Sequence, residues 1–280
     1  MKNQVERGEK VETVFVTGDR QIPFHDTRAL RLIRKVAEDL QPDIEVALGD
    51  ELDLPDLSLK FLTKPDHRNQ LSTAFRMYRD DFEAFSEVCP NTKRIWIEGN
   101  HEKRLRVFVE QTALAEFAKP GGVLTIPNLV GIAEKVEYVF PYGNVWKYKY
   151  GPSNSHSFIF KHGEVTTPYA SMRELEKAHR SGISGHTHRM SFSANTTYDG
   201  PHGWWSNGAL CNIRGDNCPP GYTETDQYRN WQQGFSVVTF SKERSIFQVE
   251  QTIIHEGKCM FRGKLYEDNG SLDKKRTTFV

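Results

Sequence analysis

The most constraining feature of this chain is a recurring corner, in which a short strand-like run ends next to a glycine and an acid, an amide or an imidazole. Residues 11–17 run into Gly18-Asp19, residues 44–48 into Gly49-Asp50, and residues 94–98 into Gly99-Asn100-His101. Residues 157–161 close in His162-Gly163, and residues 182–184 in Gly185-His186-Thr187-His188. Apolar runs of this length predict buried strands, and each glycine predicts the turn that ends one. In an open α/β sheet, ligands bind beyond the carboxyl ends of the strands, so donors at these corners stand where chemistry is done. One such corner alone is equally an ordinary turn with a solvated histidine. The repetition gives the set its weight.

Between the corners, Asp26 is placed as the N-cap of a helix whose apolar stripe is Leu30, Ile33, Val36, Ala37 and Leu40. Residues 71–88 carry Phe75, Tyr78, Phe82 and Phe85 at helical spacing, and a third helix is predicted over residues 102–117. Three βα units in succession predict parallel strands joined by right-handed crossovers. A short helical turn is expected over residues 57–62. From Pro120 onward the texture changes to short runs punctuated by Pro, Gly and Asn. Residues 136–140 and 145–150 read as hairpin-type strands, and residues 168–179 as a helix. Residues 192–198, 203–211, 235–240 and 246–254 read as strands of a second, mostly antiparallel sheet. No repeat or linker divides the chain. The expected organisation is one domain over residues 1–280, with the motifs in 19–188, the second sheet in 189–257 and a charged, loosely ordered tail in 258–280.

Composition bounds the partners. A chain of 280 residues buries a sizeable core without staples. Lys plus Arg and Asp plus Glu both number 37, so no global basic field draws in nucleic acid or an anionic membrane. A local groove built from Arg94, Lys103, Arg104 and Arg106 would reopen the case for nucleic acid. Cys89, Cys211, Cys218 and Cys259 lack metal-site spacing and the density of a secreted framework, so they read as reduced thiols. A disulfide between Cys211 and Cys218 is the minor alternative. The polar start has no apolar stretch of signal-peptide type, and no run has the length of a membrane span, so a cytoplasmic protein with no membrane partner is expected.

Collected from the strand ends, the donors are Asp19, Asp50, Asn100, His101, His162, His186 and His188, rich in oxygen and imidazole and free of thiolate. Such a set suits two divalent cations roughly 3.5–4 Å apart that share a carboxylate and clamp the oxygens of a phosphate during in-line displacement. These ligand types favour manganese, with iron or zinc as alternatives. The run Asp19-Arg20-Gln21, Gly49-Asp50-x-x-Asp53, Gly99-Asn100-His101-Glu102, His162-Gly163 and Gly185-His186-x-His188 resembles the calcineurin-like metallophosphoesterase superfamily, in the order of that family's motifs.

The resemblance implies an α/β fold, a four-layer αββα sandwich of two mixed sheets, and a dinuclear site at the strand ends that hydrolyses phosphodiester or phosphomonoester bonds through metal-bound hydroxide. It implies that Asp50 bridges two metals, that Asp19, His188 and the residue at position 21 hold one, and that Asn100, His162 and His186 hold the other. His101 corresponds to the family's catalytic histidine, and an imidazole suits proton donation near neutrality. Asp53 is expected to orient His101 or a ligand. Arg104 and Arg189 are the candidate contacts to a phosphate-ester substrate. The departure is Gln21, where the family usually has histidine. Its carbonyl ligates a hard cation more weakly than imidazole binds zinc or iron. Glu102 reads as a helix-start carboxylate, His25 as a packing or capping residue, and Trp204, Trp205 and Trp231 as core. The competing readings are a nuclease acting on DNA or RNA, and a non-catalytic binding scaffold that keeps the fold.

Overall fold

A computed structural model describes residues 11–57, 71–112, 115–119, 122–215, 217–219 and 230–268. Most of the predicted turn over residues 57–62 lies outside them, and Pro55–Leu57 forms one turn of 3-10 helix. Strand β1 (Val11–Thr17) leads through α1 (Thr27–Leu40) to β2 (Ile44–Ala47), and α2 (Leu71–Val88) leads to β3 (Lys93–Ile97). After α3 (Glu102–Gln111) and the short α4 (Ile126–Val130) comes β4 (Glu137–Val139). The strands β1 to β4 pair in parallel, in that order.

The second sheet holds β5 (Trp146–Tyr150), β6 (His156–Lys161), β7 (Gly182–Ser184), β8 (Ser191–Thr197) and β9 (Gly200–Ser206), in the order β5-β6-β7-β9-β8, with α5 (Ala170–Ala178) between β6 and β7. It is mixed, because β6, β7 and β9 run parallel while β5 and β8 pair antiparallel at the edges.

Alternation along the strands sets the layers. Val14 and Val16 face inward with Ile44, Val46, Ile95 and Ile97, and meet Tyr148, Tyr150, Phe158, Phe160 and Ile183 of the second sheet. Phe15, one residue out of phase, faces the other way and packs on Leu30, Ile33 and Val36 of α1. Trp96 does the same toward α2 and α3, and Ile159 packs on Leu175 of α5 and Trp204. Helices thus cover both outer faces of two stacked sheets, which is the expected four-layer αββα sandwich of two mixed sheets.

Three expectations are corrected. Residues 235–240 and 246–254 were assigned to the second sheet, yet β10 (Gln233–Ser241) pairs antiparallel with β1, and β11 (Phe247–Ile254) pairs with β10, extending the first sheet instead. The alternation of an edge strand shows a buried face, but not which sheet supplies the neighbour. Residues 136–140 form no hairpin, because β4 joins β3 in parallel. Residues 258–267, expected to be loosely ordered, are folded. Strands β12 (Lys258–Phe261) and β13 (Lys264–Glu267) form a hairpin whose Cys259, Phe261 and Tyr266 are buried in the cluster built on α1.

Candidate metal centre

Five strand ends converge. Asp19 and Gln21 follow β1, Asp50 follows β2, Asn100 and His101 follow β3, His162 follows β6, and His186 and His188 follow β7. The corners are tight. Asp19, Gln21, Asp50, His186 and His188 all have φ between 51° and 73°, a region that non-glycine residues seldom adopt. Such conformations cluster where a fold holds functional groups against local preference. Gly185 is required by contact, since a β-carbon there would lie 2.5 Å from Asp19 Oδ2.

The two carboxylates are held alike. Asp50 Oδ1 accepts from the backbone N–H of His101 at 2.9 Å, and Asp19 Oδ2 accepts from that of His186 at 3.0 Å. Each carboxylate therefore turns its other oxygen into the cluster. Asp50 Oδ2 lies 3.3 Å from His162 Nε2 and 3.6 Å from His101 Nε2, and accepts from Gln21 Nε2 at 3.2 Å. Asp19 Oδ1 lies 3.2 Å from His188 Nε2. Asp19, Gln21, Asp50, His162 and His188 are all buried, whereas Asn100 and His186 keep partial access to solvent.

The donor set fits a cation. His162 spends its Nδ1–H on the carbonyl of Leu48 at 2.9 Å, which directs Nε2 inward. Around that one nitrogen stand Asn100 Oδ1 at 2.9 Å, His186 Nδ1 at 3.1 Å and Asp50 Oδ2 at 3.3 Å. A single proton on Nε2 serves one of these neighbours, while a divalent ion among them serves all. Asp50, His162 and His186 form the one group of three His, Cys, Asp or Glu ligands among the described residues whose ligating atoms all lie within 4.8 Å of one another. Burial alone would depress the His162 imidazole, but Asp50 beside it prevails and carries its pKa to about 9. Burial and the neighbouring His162 charge push His186 down to about 4. The pair shares one positive charge where a dication's charge would fall.

His101 is held from behind. Its Nδ1 lies 2.6 Å from Asp53 Oδ1 and 2.9 Å from the Asp53 carbonyl. Burial opposes the charged imidazole, but Asp50 and Asp53 outweigh it and raise the pKa. Arg104 donates to the Asp53 carbonyl at 2.6 Å and lies 3.2 Å from His101 Nε2. It therefore backs His101. Arg189 follows His188, and its Nε and NH1 are buried without a hydrogen-bond partner. The basic groove that would have reopened the nucleic-acid reading does not assemble, because Arg94 is buried against Glu45 and Arg106 pairs with Glu98 and Glu110 at 3.1 Å each.

Several contributors were not legible in the sequence. Glu102 opens α3, the helix-start position expected of it, and does more than meet the helix dipole there. It is buried and accepts from the backbone N–H groups of Asp50 and Leu52 at 3.0 Å each and of Gly99 at 2.9 Å, tying the second corner to the third. Arg20 ties the first corner to the second, pairing with Glu51 and reaching Glu45 at 3.0 Å and Asp81 at 3.1 Å. Burial, followed by the nearby acids Glu102 and Glu45, lifts Glu51 to about 8 against the pull of Arg20. The Trp231 ring meets His188 edge-on at 4.3 Å, and Cys211 Sγ lies 4.0 Å from His188 Nδ1. Trp204 is core, as expected, and donates to Ser184 Oγ at 3.0 Å.

The fold is an αββα sandwich with a group of metal-type donors at its strand ends. No family model matches the chain. It is similar to the gene 54 protein of Mycobacterium phage L5, with 26% identity over 269 residues that span 91% of this chain and 98% of that protein. The gene 54 protein of Mycobacterium phage D29 is 27% identical over 245 residues, spanning 81% and 88%. Among solved structures, vacuolar protein sorting 29 from Cryptosporidium parvum aligns with a TM-score of 0.48 at 12% identity, covering 92% of this chain and 99% of that one. YfcE, a phosphoesterase from E. coli, aligns at 0.38 and 11%, covering 87% and 100%. The likeness to these structures is one of architecture.

Proposed function

We propose that this chain is a divalent-metal-dependent phosphoesterase acting on phosphodiester or phosphomonoester bonds. The observation that carries the reading is the convergence of two carboxylates, an amide and three imidazoles on one point, with a separately braced imidazole, His101, beside the shared Asp50 Oδ2. In this reading Asn100, His162 and His186 would hold one divalent ion, Asp19, Gln21 and His188 a second, and Asp50 would serve both. Such ions, manganese first, would supply Lewis acidity at the phosphoryl oxygens and lower the pKa of water.

The chain's own groups do the rest. Asp53 holds His101 at Nδ1, so Nε2 faces the reacting phosphate. As water adds to phosphorus and the P–O ester bond breaks, His101 Nε2 gives its proton to the departing oxygen. Burial opposes the proton on that imidazole, but Asp50 and Asp53 raise its pKa, which favours the proton it is to give. Arg104, beside Nε2, is positioned to pair with a phosphate oxygen. A nuclease is the weaker reading, because Arg94 and Arg106 are tied up in ion pairs. The scaffold reading rests on Gln21, whose amide N–H occupies Asp50 Oδ2. Among the described residues none of the helices is long and apolar enough to cross a membrane, and Cys89, Cys211 and Cys259 are buried free thiols. A cytoplasmic setting is part of the proposal.

The test compares hydrolysis of bis-p-nitrophenyl phosphate and p-nitrophenyl phosphate under manganese, zinc, nickel and magnesium, with Asp50→Asn and His101→Ala alongside. We expect manganese-dependent turnover that falls at least about 100-fold in either variant. The diester-to-monoester ratio assigns the substrate class. Turnover indifferent to Asp50, or none with any metal, overturns the proposal in favour of the scaffold.

A further inference from the structure

Resting on the metalloenzyme reading, we infer that the two ion positions are unequal: the His162 side retains its ion, while the Asp19 side takes a hard, exchangeable cation, magnesium or manganese, whose free concentration gates the site. Three observations carry this inference.

The first is the donor count. Around Asp50, the His162 side offers two imidazoles and the Asn100 carbonyl, whereas the Asp19 side offers one imidazole, a carboxylate and the neutral amide of Gln21. Imidazole suits zinc and iron, and oxygen donors suit magnesium and manganese.

The second is preorganisation. The ligating atoms of Asp50, His162 and His186 already lie within 4.8 Å of one another. On the other side Asp19 Oδ1 stands 3.2 Å from His188 Nε2, and among the described residues no third His, Cys, Asp or Glu completes such a group with them.

The third is Gln21 itself, buried at the centre. Its Nε2 donates to Asp50 Oδ2 at 3.2 Å, the oxygen that also faces His162. Its Oε1 is buried with no hydrogen-bond partner among the described residues. A buried carbonyl oxygen without a donor is costly and favours a cation beside it. The same side chain, through its N–H, competes for the oxygen that both ions must share. Gln21 thus creates an oxygen-rich position and weakens it. An imidazole at position 21 would remove the amide N–H and add a stronger nitrogen donor.

Equilibrium dialysis of chelator-stripped protein against a manganese series, with bound metal counted by mass spectrometry and followed by electron paramagnetic resonance, tests this without reference to activity. For the wild type we expect one ion per chain with the six-line spectrum of an isolated manganese. A second ion should enter only at roughly tenfold or higher free manganese, broadening the signal by coupling to the first. Gln21→His should merge the two steps and bind two zinc ions tightly. Gln21→Leu should keep the first ion and lose the second step, and His162→Ala should lose the first. Circular dichroism melting confirms that each variant is folded. Two ions of matching affinity in the wild type, or stoichiometry indifferent to Gln21→His, overturns the inference and leaves the metalloenzyme reading standing. If the folded wild type and Gln21→His both bind no ion, the metalloenzyme reading fails and takes this inference with it.

Discussion

At the scale of single residues, the group that most deserves a substitution is Glu102, because its two oxygens hold three backbone N–H groups from two different corners. A buried N–H stripped of its acceptor costs about 1–3 kcal/mol, so Glu102→Ala should lose about 3 kcal/mol or more, with Glu102→Gln in between. Urea denaturation reads this directly. A loss near zero would mean that the corners hold themselves. Glu102 also marks the boundary of what the sequence could say. The corners were legible because each joins a strand end to a glycine within a few residues of its donors, a local pattern. The roles of Glu102 and Arg20 depend on groups that only the assembled fold brings near: backbone N–H donors for one, and Glu45, Glu51 and Asp81 for the other. No spacing rule reports those.

At the scale of elements, α1 was readable from end to end because both its stripe and its cap are local. Asp26 Oδ1 accepts from the backbone of Arg28 at 2.9 Å and of Ala29 at 3.4 Å, and Oδ2 accepts from Gln233 Nε2 at 3.1 Å. Burial would raise the pKa of this carboxyl, but the hydrogen bonds from Arg28 and Gln233 prevail and lower it. A lowered folded-state pKa means that Asp26 stabilises the fold fully above its ordinary value of 3.8, and that this stability is lost as the pH falls through the lowered value. Asparagine caps as well as aspartate but carries no charge, so Asp26→Asn should cost about 1 kcal/mol at pH 7 and progressively less below pH 4. A cost that does not change with pH would disprove the carboxylate's part. The β12–β13 hairpin is the opposite case. Its charged sequence hid Phe261 and Tyr266, which alternate inward onto α1 and β10 only once the hairpin is folded back. Phe261→Ala should lose about 3–5 kcal/mol, measurable by thermal or urea melting. A loss below 1 kcal/mol would restore the view of a loose tail.

At the scale of the whole molecule, the cluster is a junction between the two sheets. Asp19, Asp50 and Asn100 hang from the parallel strands of the first sheet, while His162, His186 and His188 hang from β6 and β7 of the second. His162 already crosses the gap through its bond to the Leu48 carbonyl, as does Asp19 through the N–H of His186. The aromatic layer beneath, where Phe158, Phe160 and Tyr148 meet Phe240, gives the two sheets their apolar contact. The polar corners add directional bonds across the same junction. An ion bound there binds the folded chain alone, since the unfolded chain scatters its ligands from residue 19 to residue 188. Manganese at about a hundred times its dissociation constant should then add about 2.7 kcal/mol, which for a chain of this size is a rise in melting temperature of roughly 5 °C. His162→Ala should cancel most of that rise, while a core substitution such as Phe261→Ala should lower the melting temperature with and without manganese alike. If manganese left the wild type unmoved, or moved His162→Ala equally, the ion would not sit between the sheets. The corners would then bridge the sheets by their hydrogen bonds alone.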